Sequence, residues 1–262
     1  MCRAVLARLA PAVPVVDLTH GVPRGDVVAG AVTLADCVAH LPAGVSLAVV
    51  DPGVGTDRAA VILRAELRGE PHWFVGPGNG LLAPAVAACG GASSAWVLPA
   101  PADLSATFHG RDVFAPAAAR LATGADPAAF AEPLDPRALR PLSLPRAAVG
   151  PDRLRAEVLL VDAFGNLSLA AGPADLRGAG LHLGDHLTVR ATVPAGGGGT
   201  GQDALVVRTF ADVTPGRLLV HVDAAGRVAV AVNGGSAAER LGAGRGTQLT
   251  LARPGGAASD AL

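Results

Sequence analysis

The stretch Val45–Arg58 reads VSLAVVDPGVGTDR, an apolar run that passes into a glycine-rich polar loop. The run predicts a central strand buried on both faces, because the strands of parallel sheets are apolar throughout instead of alternating. Asp51 follows it directly, at the carboxyl end of the strand, where open α/β sheets bind their ligands. Gly53 and Gly55 allow the backbone to fold back, so we expect Arg58 to return towards Asp51.

Three interpretations of this loop remain open from its residues alone. It could face a ligand, bind a phosphate or dinucleotide, or form a salt-bridged turn without function. Its spacing is GxGxxR and no helix clearly follows, whereas the dinucleotide fingerprint is GxGxxG at the start of a helix. The pattern therefore argues against a Rossmann dehydrogenase and leaves a functional loop and an ordinary turn both open.

Strand and helix signals alternate around this stretch. Asp26 is placed to cap a helix whose apolar residues recur at helical spacing, and Gly80–Ala88 predicts another helix. Further strands are predicted at Val13–Leu18, Ala59–Leu67, His72–Val75 and Ala95–Leu98. The alternation predicts an α/β domain with a largely parallel central sheet over residues 1–140.

Downstream the pattern changes. Prolines crowd residues 141–153, which we expect to be a linker. Over residues 154–262 apolar and polar residues alternate with period two, as in His186–Val193. Arg217–Val222 and Arg227–Val232 flank a tight turn and predict a hairpin. The second domain is therefore predicted to be smaller, mostly β and barrel-like.

Composition excludes several classes of function. The chain has a net charge of −1 and no basic stripe, so neither nucleic acid nor an acidic membrane surface is expected as a partner. Cys2, Cys37 and Cys89 are odd in number and far apart, which predicts neither a disulfide framework nor a metal site. This cysteine usage fits a reducing cytoplasm, and no apolar run is long enough to cross a membrane.

A second segment that could carry chemistry contains His109. Thr107–Arg120 reads TFHGRDVFAPAAAR, and a helix is predicted to begin near Asp112 or Val113. His109 then lies just before the positive end of the helix, which disfavours imidazolium and keeps the ring neutral. A lone histidine at such a position is more often structural than catalytic.

The segment VDAFGN, Val161–Asn166, ends a predicted strand of the second domain. Asp162 can hold an ammonium group, Phe164 offers a face for stacking, and Asn166 can pair with a base edge through both donor and acceptor. By itself the segment also fits a turn with an exposed aromatic. For FVGPGNG, Phe74–Gly80, only close approach of the backbone is predicted.

Together these segments share their order with one enzyme family. They are DLTH (17–20), VVDPGVGTDR (49–58), FVGPGNG (74–80), SATFHGRDVFAP (105–116), VDAFGN (161–166) and AVNGGSA (231–237). In this order they resemble the adenosine-forming S-adenosylmethionine (SAM) hydrolases, or SAM hydroxide adenosyltransferases, relatives of the fluorinase and chlorinase. The resemblance covers about residues 1–246 and implies hydrolysis of SAM to adenosine and L-methionine, by in-line attack of water or hydroxide on ribose C5′.

The resemblance also implies roles for individual residues. Asp51, Arg58 and His109 match the trio that orients and activates water, which the halogenating relatives lack. Asp162 matches the position that holds the methionine amino group, and Asn166 the one that reads adenine. The residues expected to pack against adenine or complete its pocket are Phe164, Phe210, Asn233, Gly234 and Gly235.

Family members are trimers whose site lies between the α/β domain of one subunit and the β domain of its neighbour. A homotrimer is therefore expected here, with a small-molecule substrate and no metal or other cofactor. Two alternatives stay open: a SAM-dependent halogenase that uses chloride, and a remnant that binds adenosine or SAM without catalysis.

One part of the family pattern lies outside this sequence. Members open with a strand that ends in a TDFG-like turn, followed by a segment resembling DxYVGAMKG, and Met1 aligns inside that segment. Two explanations stay open: the strand and its ribose-binding Asp lie in frame upstream of Met1, which we expect, or the protein is a damaged relative that lacks them. A smaller departure is Gly78, where relatives often carry a carboxamide or carboxylate.

Overall fold

The computed structural model describes residues 1–99, 105–192 and 200–254. The chain divides into two compact units, Met1–Ser143 and Leu144–Leu262. The division falls inside the proline-rich segment 141–153. Unit 1 combines a sheet with helices and unit 2 is a β-barrel, which confirms the predicted fold class.

Unit 1 contains a five-stranded sheet. Its strands are β1 (Gly44–Leu47), β2 (Ala60–Leu67), β3 (Glu70–Pro77), β4 (Ala92–Leu98) and β5 (Glu132–Leu134). Their order is β1-β3-β2-β4-β5. Only β1 and β3 run parallel, whereas β2–β3, β2–β4 and β4–β5 are antiparallel. The prediction of a largely parallel sheet was therefore wrong.

A two-residue turn sets the direction of β2 relative to β3. Arg68 and Gly69 join the two strands with φ angles of 55° and 80°. Positive φ at both central positions is the geometry of a hairpin turn that matches the twist of its strands. The strands must therefore pair antiparallel, with Leu67 opposite Glu70.

Strand β1 lies at the edge of this sheet, not at its centre as its apolar run predicted. It pairs with β3, and its side chains are only partly buried. By contrast, Phe74 and Val75 of β3 are fully buried. The chain continues beyond β1 in an extended course, where the amide of Ala48 donates to the carbonyl of Val75 over 3.1 Å. This course leads directly into Asp51.

Helices cover the two faces of the sheet. They are α1 (Cys2–Leu9), α2 (Val27–Val38), α3 (Ala83–Ala88) and α4 (Ala115–Ala122). Residues of α2 and α3 share one core cluster with Leu63, and residues of α4 share another with Ile62. The predicted cap is confirmed, because Oδ1 of Asp26 accepts from the amide of Ala29 over 2.9 Å.

The segment Val13–Leu18 forms no strand, contrary to its prediction. Val15, Val16 and Leu18 are exposed, with Val16 at 73%. Pro14 lacks the N–H that a ladder needs, and Asp17 is tied by its side chain to Arg3 over 2.6 Å. A β-branched run is therefore not enough to form a strand here.

Unit 2 is a closed barrel with one extra strand. Its strands are β6 (Ala148–Gly150), β7 (Arg153–Val161), β8 (Leu167–Leu169), β9 (His186–Thr192), β10 (Gln202–Val206), β11 (Leu218–Val222), β12 (Val228–Val232) and β13 (Gln248–Ala252). The ring β13-β9-β10-β11-β12-β8-β7 closes where β13 pairs with β7, and β6 adds to the outside of β7. Two short helices, α5 (Pro173–Gly178) and α6 (Ala237–Leu241), complete the unit.

The alternating patterns of unit 2 correctly predicted three of its strands, β9, β11 and β12. The predicted hairpin is formed by β11 and β12, with Leu218 opposite Val232. The predicted strand His186–Val193 is β9, apart from Val193, which lies outside the described residues. Its Leu187, Val189 and Ala191 point into the barrel core, as period-two alternation requires. In the described ranges, no helix is long and apolar enough to span a bilayer.

Candidate active site

Three polar side chains meet in unit 1 where the loop after β1 approaches the segment before α4. Arg58 grips the Asp51 carboxylate with two nitrogens: Nε donates to Oδ1 over 2.8 Å and Nη2 donates to Oδ2. Nη2 also lies 3.1 Å from Nδ1 of His109. The structure thus brings the predicted trio into one hydrogen-bonded chain.

The trio is largely shielded from solvent. The Arg58 and Asp51 side chains are 10% and 6% exposed. Phe114 lies against Arg58 and His109. Its ring centre is 5.1 Å from Cζ of Arg58 and 6.4 Å from the centre of the His109 ring, which it meets edge-on. Charges act more strongly on one another where water is scarce. The bidentate pair and its aromatic support therefore form a rigid, strongly interacting cluster.

Close approach of two loops explains a glycine of the motif DPGVGTDR. Gly55 has a φ of +79°, and a Cβ there would lie only 2.8 Å from the carbonyl oxygen of Ala106. Ala106 belongs to the segment that carries His109. A side chain at Gly55 would therefore separate the Asp51 loop from the His109 segment.

His109 precedes a helix, as predicted, but that helix begins earlier than expected. Gly110–Phe114 form a π-helical turn that runs directly into α4, and His109 is its N-terminal cap residue. Pro116 is the second residue of α4 and lacks the N–H with which other residues donate to the preceding helical turn. Single π-helical turns are rare and are often found at functional sites.

Arg111 and Asp112, which are adjacent in sequence, form a local ion pair. Two hydrogen bonds of 2.6 and 2.7 Å join them, and the Arg111 guanidinium lies 4.7 Å from the ring centre of Phe108. The hydrogen bond from Arg111 is the main reason why the pKa of Asp112 lies below its usual value. The pair supports the turn beside His109.

The contact between Arg58 and His109 determines which ring nitrogen carries a hydrogen. A guanidinium offers only donors, so Nδ1 of His109 must accept from Nη2 of Arg58. The neutral ring then carries its hydrogen on Nε2. His109 therefore presents an N–H donor, and not a free lone pair, on the side that faces away from Arg58.

Asn79 is a positioning residue that the sequence patterns did not indicate. Its Nδ2 donates to the carbonyl of Val50 over 2.9 Å, and its Oδ1 accepts from the amide of Leu81 over 3.1 Å. Val50 directly precedes Asp51, so Asn79 ties the loop before α3 to the backbone that carries the carboxylate. The predicted close approach in this loop is also present, since a Cβ at Gly76 would lie 2.4 Å from the oxygen of Ala48.

In unit 2 the segment VDAFGN forms the turn between β7 and β8. Oδ1 of Asp162 accepts from the amides of Phe164 and Asn166 over 2.9 Å, and Oδ2 accepts from Nδ2 of Asn166 over 2.8 Å. The two expected ligand-binding groups are thus hydrogen-bonded to each other. Phe164 stands at the tip of the turn and is 78% exposed.

The other expected adenine-binding residues lie in turns of the same unit. Phe210 begins a short 3₁₀ helix, and its ring centre lies 5.1 Å from the ring of His221, which was not predicted. Asn233 uses Nδ2 to hold the carbonyl of Val213 over 2.8 Å. Gly234 and Gly235 follow it with exposed backbone, as a contact with a ligand would require.

Comparisons with known proteins decide the family. Residues 1–131 match the SAM hydroxide adenosyltransferase N-terminal domain, and residues 156–250 match the C-terminal domain of the same family. The chain belongs to the SAM hydroxide adenosyltransferase family. The family proposed from the order of the motifs is therefore confirmed.

Relatives within the SAM hydroxide adenosyltransferase family are similar over nearly the whole chain. The (R)-S-adenosyl-L-methionine hydrolase of Salinispora tropica is 49% identical over 254 residues, which cover 95% of this chain and 90% of the relative. The protein of the same name from Salinispora arenicola is 50% identical with the same coverage. That of Thermus thermophilus is 38% identical and covers 95% of this chain and 92% of its own length.

Solved structures support the fold assigned to this family member. An uncharacterized conserved protein from Thermotoga maritima is 30% identical, with a TM-score of 0.84 over 96% of this chain and 94% of its own. A conserved hypothetical protein from Thermus thermophilus is 35% identical, with a TM-score of 0.71 over 95% of this chain and 92% of its own.

A cavity of unit 1 lies apart from the trio. It has a volume of about 300 Å³ and a largely apolar lining that includes Leu63, Gly78, Val86 and Leu139. None of Asp51, Arg58 and His109 lines it, so we assign the chemistry to the trio and not to the cavity. Across the described ranges, no three His, Cys, Asp or Glu side chains are grouped to hold a metal ion.

Proposed function

We propose that this protein hydrolyses SAM to adenosine and L-methionine. The observation that carries the proposal is the shielded chain of hydrogen bonds from Asp51 through Arg58 to His109. The names of the relatives, which are 49% and 50% identical, state the same substrate and reaction class. These names also specify the (R) form, so we propose (R)-SAM as the preferred sulfonium epimer.

The reaction asks little of the enzyme beyond positioning a water molecule. The water oxygen forms a bond to ribose C5′ while the C5′–S bond breaks, and the sulfur takes the electron pair as the neutral thioether of methionine. One proton of the water must then be lost. Because the sulfonium is already a good leaving group, no acid is needed, and the gain comes from holding water in line and excluding bulk solvent.

The hydrogen positions in the trio suggest distinct roles. Nε2–H of His109 would donate to the attacking oxygen and orient it, while Arg58 holds Asp51 and His109 in place. Asp51 is the anion of the trio, and its carboxylate oxygens keep lone pairs beyond those used by Arg58. We therefore assign the proton to Asp51 and hydrogen-bond donation to His109.

The residues of unit 2 would bind the substrate. Asp162 is proposed to hold the methionine amino group with the lone pairs left free by its turn, and the exposed Phe164 and Phe210 are proposed to pack against adenine. Asn166 and the backbone of Asn233–Gly235 would complete this pocket. We further propose a cytoplasmic homotrimer that shares each site between two subunits and needs no cofactor, a proposal that rests on the family resemblance.

Incubation with each SAM epimer, followed by chromatography of adenosine and methionine, tests the function. We expect equimolar products, faster from (R)-SAM, and loss of turnover in His109→Ala and Asp51→Ala. His109→Gln keeps a donor near the position of Nε2 but cannot accept a proton, so it should retain part of the activity. If chloride is required and 5′-chloro-5′-deoxyadenosine forms, the protein is a halogenase; if adenosine binds without turnover, it is a binding protein.

A further inference from the structure

The cavity of unit 1 is lined by residues of β2 and α3 and of the segment that follows β5. Its lining is largely apolar, with Val61 and Leu63 from β2, Val86 from α3, and Leu139 from the segment after β5. Its volume of about 300 Å³ is at the lower end of the range for ligand pockets, about 300–1,000 Å³. The reaction proposed above gives this cavity no role.

A hydrogen bond and close packing fix the walls of the cavity. Gly78 and Gly80 line one side. Asn79, which lies between them, donates to the carbonyl of Val50 over 2.9 Å. Gly80 has a φ of +100°, and a Cβ there would lie 3.1 Å from Cβ of Leu142, so the segment after β5 packs closely against this loop. The cavity is therefore formed before a ligand arrives, which lowers the entropic cost of binding.

The charged residues that line the cavity are both arginines. They are Arg137 and Arg140, and among the described residues no Asp or Glu lines it. Both arginines are exposed. Arg137 lies 3.7 Å from a carboxylate oxygen of Asp135, whereas Arg140 has no ion-pair partner in the part of the chain that the structure describes. The charge beside this apolar cavity is therefore positive.

These walls define the class of ligand that would fit. An apolar lining favours a hydrocarbon group, because the group leaves water when it binds. A guanidinium pairs with a carboxylate through strong, charge-assisted hydrogen bonds. An ammonium group would find no acidic side chain in the lining and would lose its hydration without compensation. The fitting ligand therefore carries a carboxylate and an apolar tail, and it is not a zwitterionic amino acid.

We propose that this cavity binds a small monocarboxylate, with its apolar tail among the side chains of β2 and α3 and its carboxylate paired with Arg137 and Arg140. The site is separate from Asp51, Arg58 and His109. The proposal therefore does not depend on the hydrolysis of SAM.

Calorimetric titration of the full-length protein with octanoate and with 1-octanol tests the proposal. The two molecules share a tail, but only octanoate can pair with the arginines, so it should bind at one site per chain and about tenfold more tightly than octanol. In the double variant Arg137→Gln/Arg140→Gln this ratio should fall towards one. Arg8→Gln is the matched control, because Arg8 is exposed on α1 and does not line the cavity; the ratio should stay at the wild-type value.

A second pair of variants tests the place of binding. Ala87 and Ala88 are neighbouring, exposed residues of α3, and of the two only Ala87 lines the cavity. Ala87→Phe should fill part of the cavity and weaken the binding of octanoate about tenfold. Ala88→Phe should leave the affinity unchanged.

Three results would each overturn the proposal: no saturable binding of octanoate, equal affinities for octanoate and octanol in the wild type, or an unchanged affinity in folded Ala87→Phe. Should Ala87→Phe not fold, the double arginine variant decides, because it changes only exposed side chains. Release of adenosine from SAM is measured separately, so this proposal and the proposed function can each fail without the other.

Discussion

Replacing Arg58 by lysine tests the trio most sharply without removing its positive charge. In the structure Nε of Arg58 donates to Oδ1 of Asp51, and Nη2 donates both to Oδ2 and to Nδ1 of His109. A lysine ammonium occupies one point and cannot reproduce the planar fork. It can donate to the carboxylate or to the imidazole, but it cannot donate to both from the positions that Nε and Nη2 of Arg58 occupy.

The expected loss follows from the bonds that lysine cannot make. At least two hydrogen bonds to a charged group disappear, each worth about 1.5–3 kcal/mol. If both act on the positioning of water in the transition state, roughly 3–6 kcal/mol is lost, and kcat/KM falls by about 10²–10⁴-fold. The assay is the initial rate of adenosine formation from (R)-SAM, followed by chromatography.

Arg64→Lys serves as the matched control for this experiment. Arg64 pairs with Glu66 over 3.1 Å, but the two side chains are 37% and 55% exposed. Exposed ion pairs of this kind contribute about 0–1 kcal/mol, so kcat/KM should stay within about threefold of the wild type. A folded Arg58→Lys variant that stays within the same range would refute the role given to the fork.

Three further predictions concern particular residues. Asn79→Ala removes the donor to Val50, so kcat should fall about fivefold with little change in KM; an unchanged kcat would remove Asn79 from the account. Gly55→Ala should reduce activity, because its Cβ would lie 2.8 Å from the oxygen of Ala106, whereas Gly69→Ala, with φ of +80° but open space, should not; equal losses would mean that backbone strain alone matters. Acidification from about pH 7 to 5 should lower the free energy of unfolding. The pKa of His221 is lowered in the folded protein, so in this pH range the unfolded chain binds more protons than the folded one. Urea titrations at the two pH values should show a smaller decrease for His221→Phe than for the wild type.

Much of the site was predictable because its chemistry is encoded locally. Asp51 at a strand end, Gly55 in a folded-back loop and His109 before a helix each follow from a short run of residues. Their meeting in space did not follow from any of these runs alone. The order of the motifs along the chain supplied that link, and the structure provides the contacts.

The errors arose where a long-range contact or a turn overrode a local pattern. Val45–Val50 is apolar enough for a central strand, yet β1 lies at the edge of the sheet that the described residues form. The prediction of parallel strands failed at Arg68 and Gly69, whose positive φ angles produce a hairpin. Asn79 was missed because its partner Val50 is 29 residues away.

Residue His221 escaped prediction for a related reason. It sits within the alternating strand β11, where an outward polar residue is ordinary. Its unpaired Nε2 and its contact with Phe210 exist only once the 3₁₀ turn folds over the sheet. Such a group can be recognised from coordinates and not from periodicity.

Hydrolysis of (R)-SAM in ¹⁸O-labelled water, with mass spectrometry of the nucleoside product, tests the central claim most directly. If the trio directs water onto C5′, the adenosine carries one ¹⁸O in its 5′-hydroxyl and gains two mass units, while methionine stays unlabelled. Unlabelled adenosine, a 5′-halogenated nucleoside, or the absence of any nucleoside product would contradict the account.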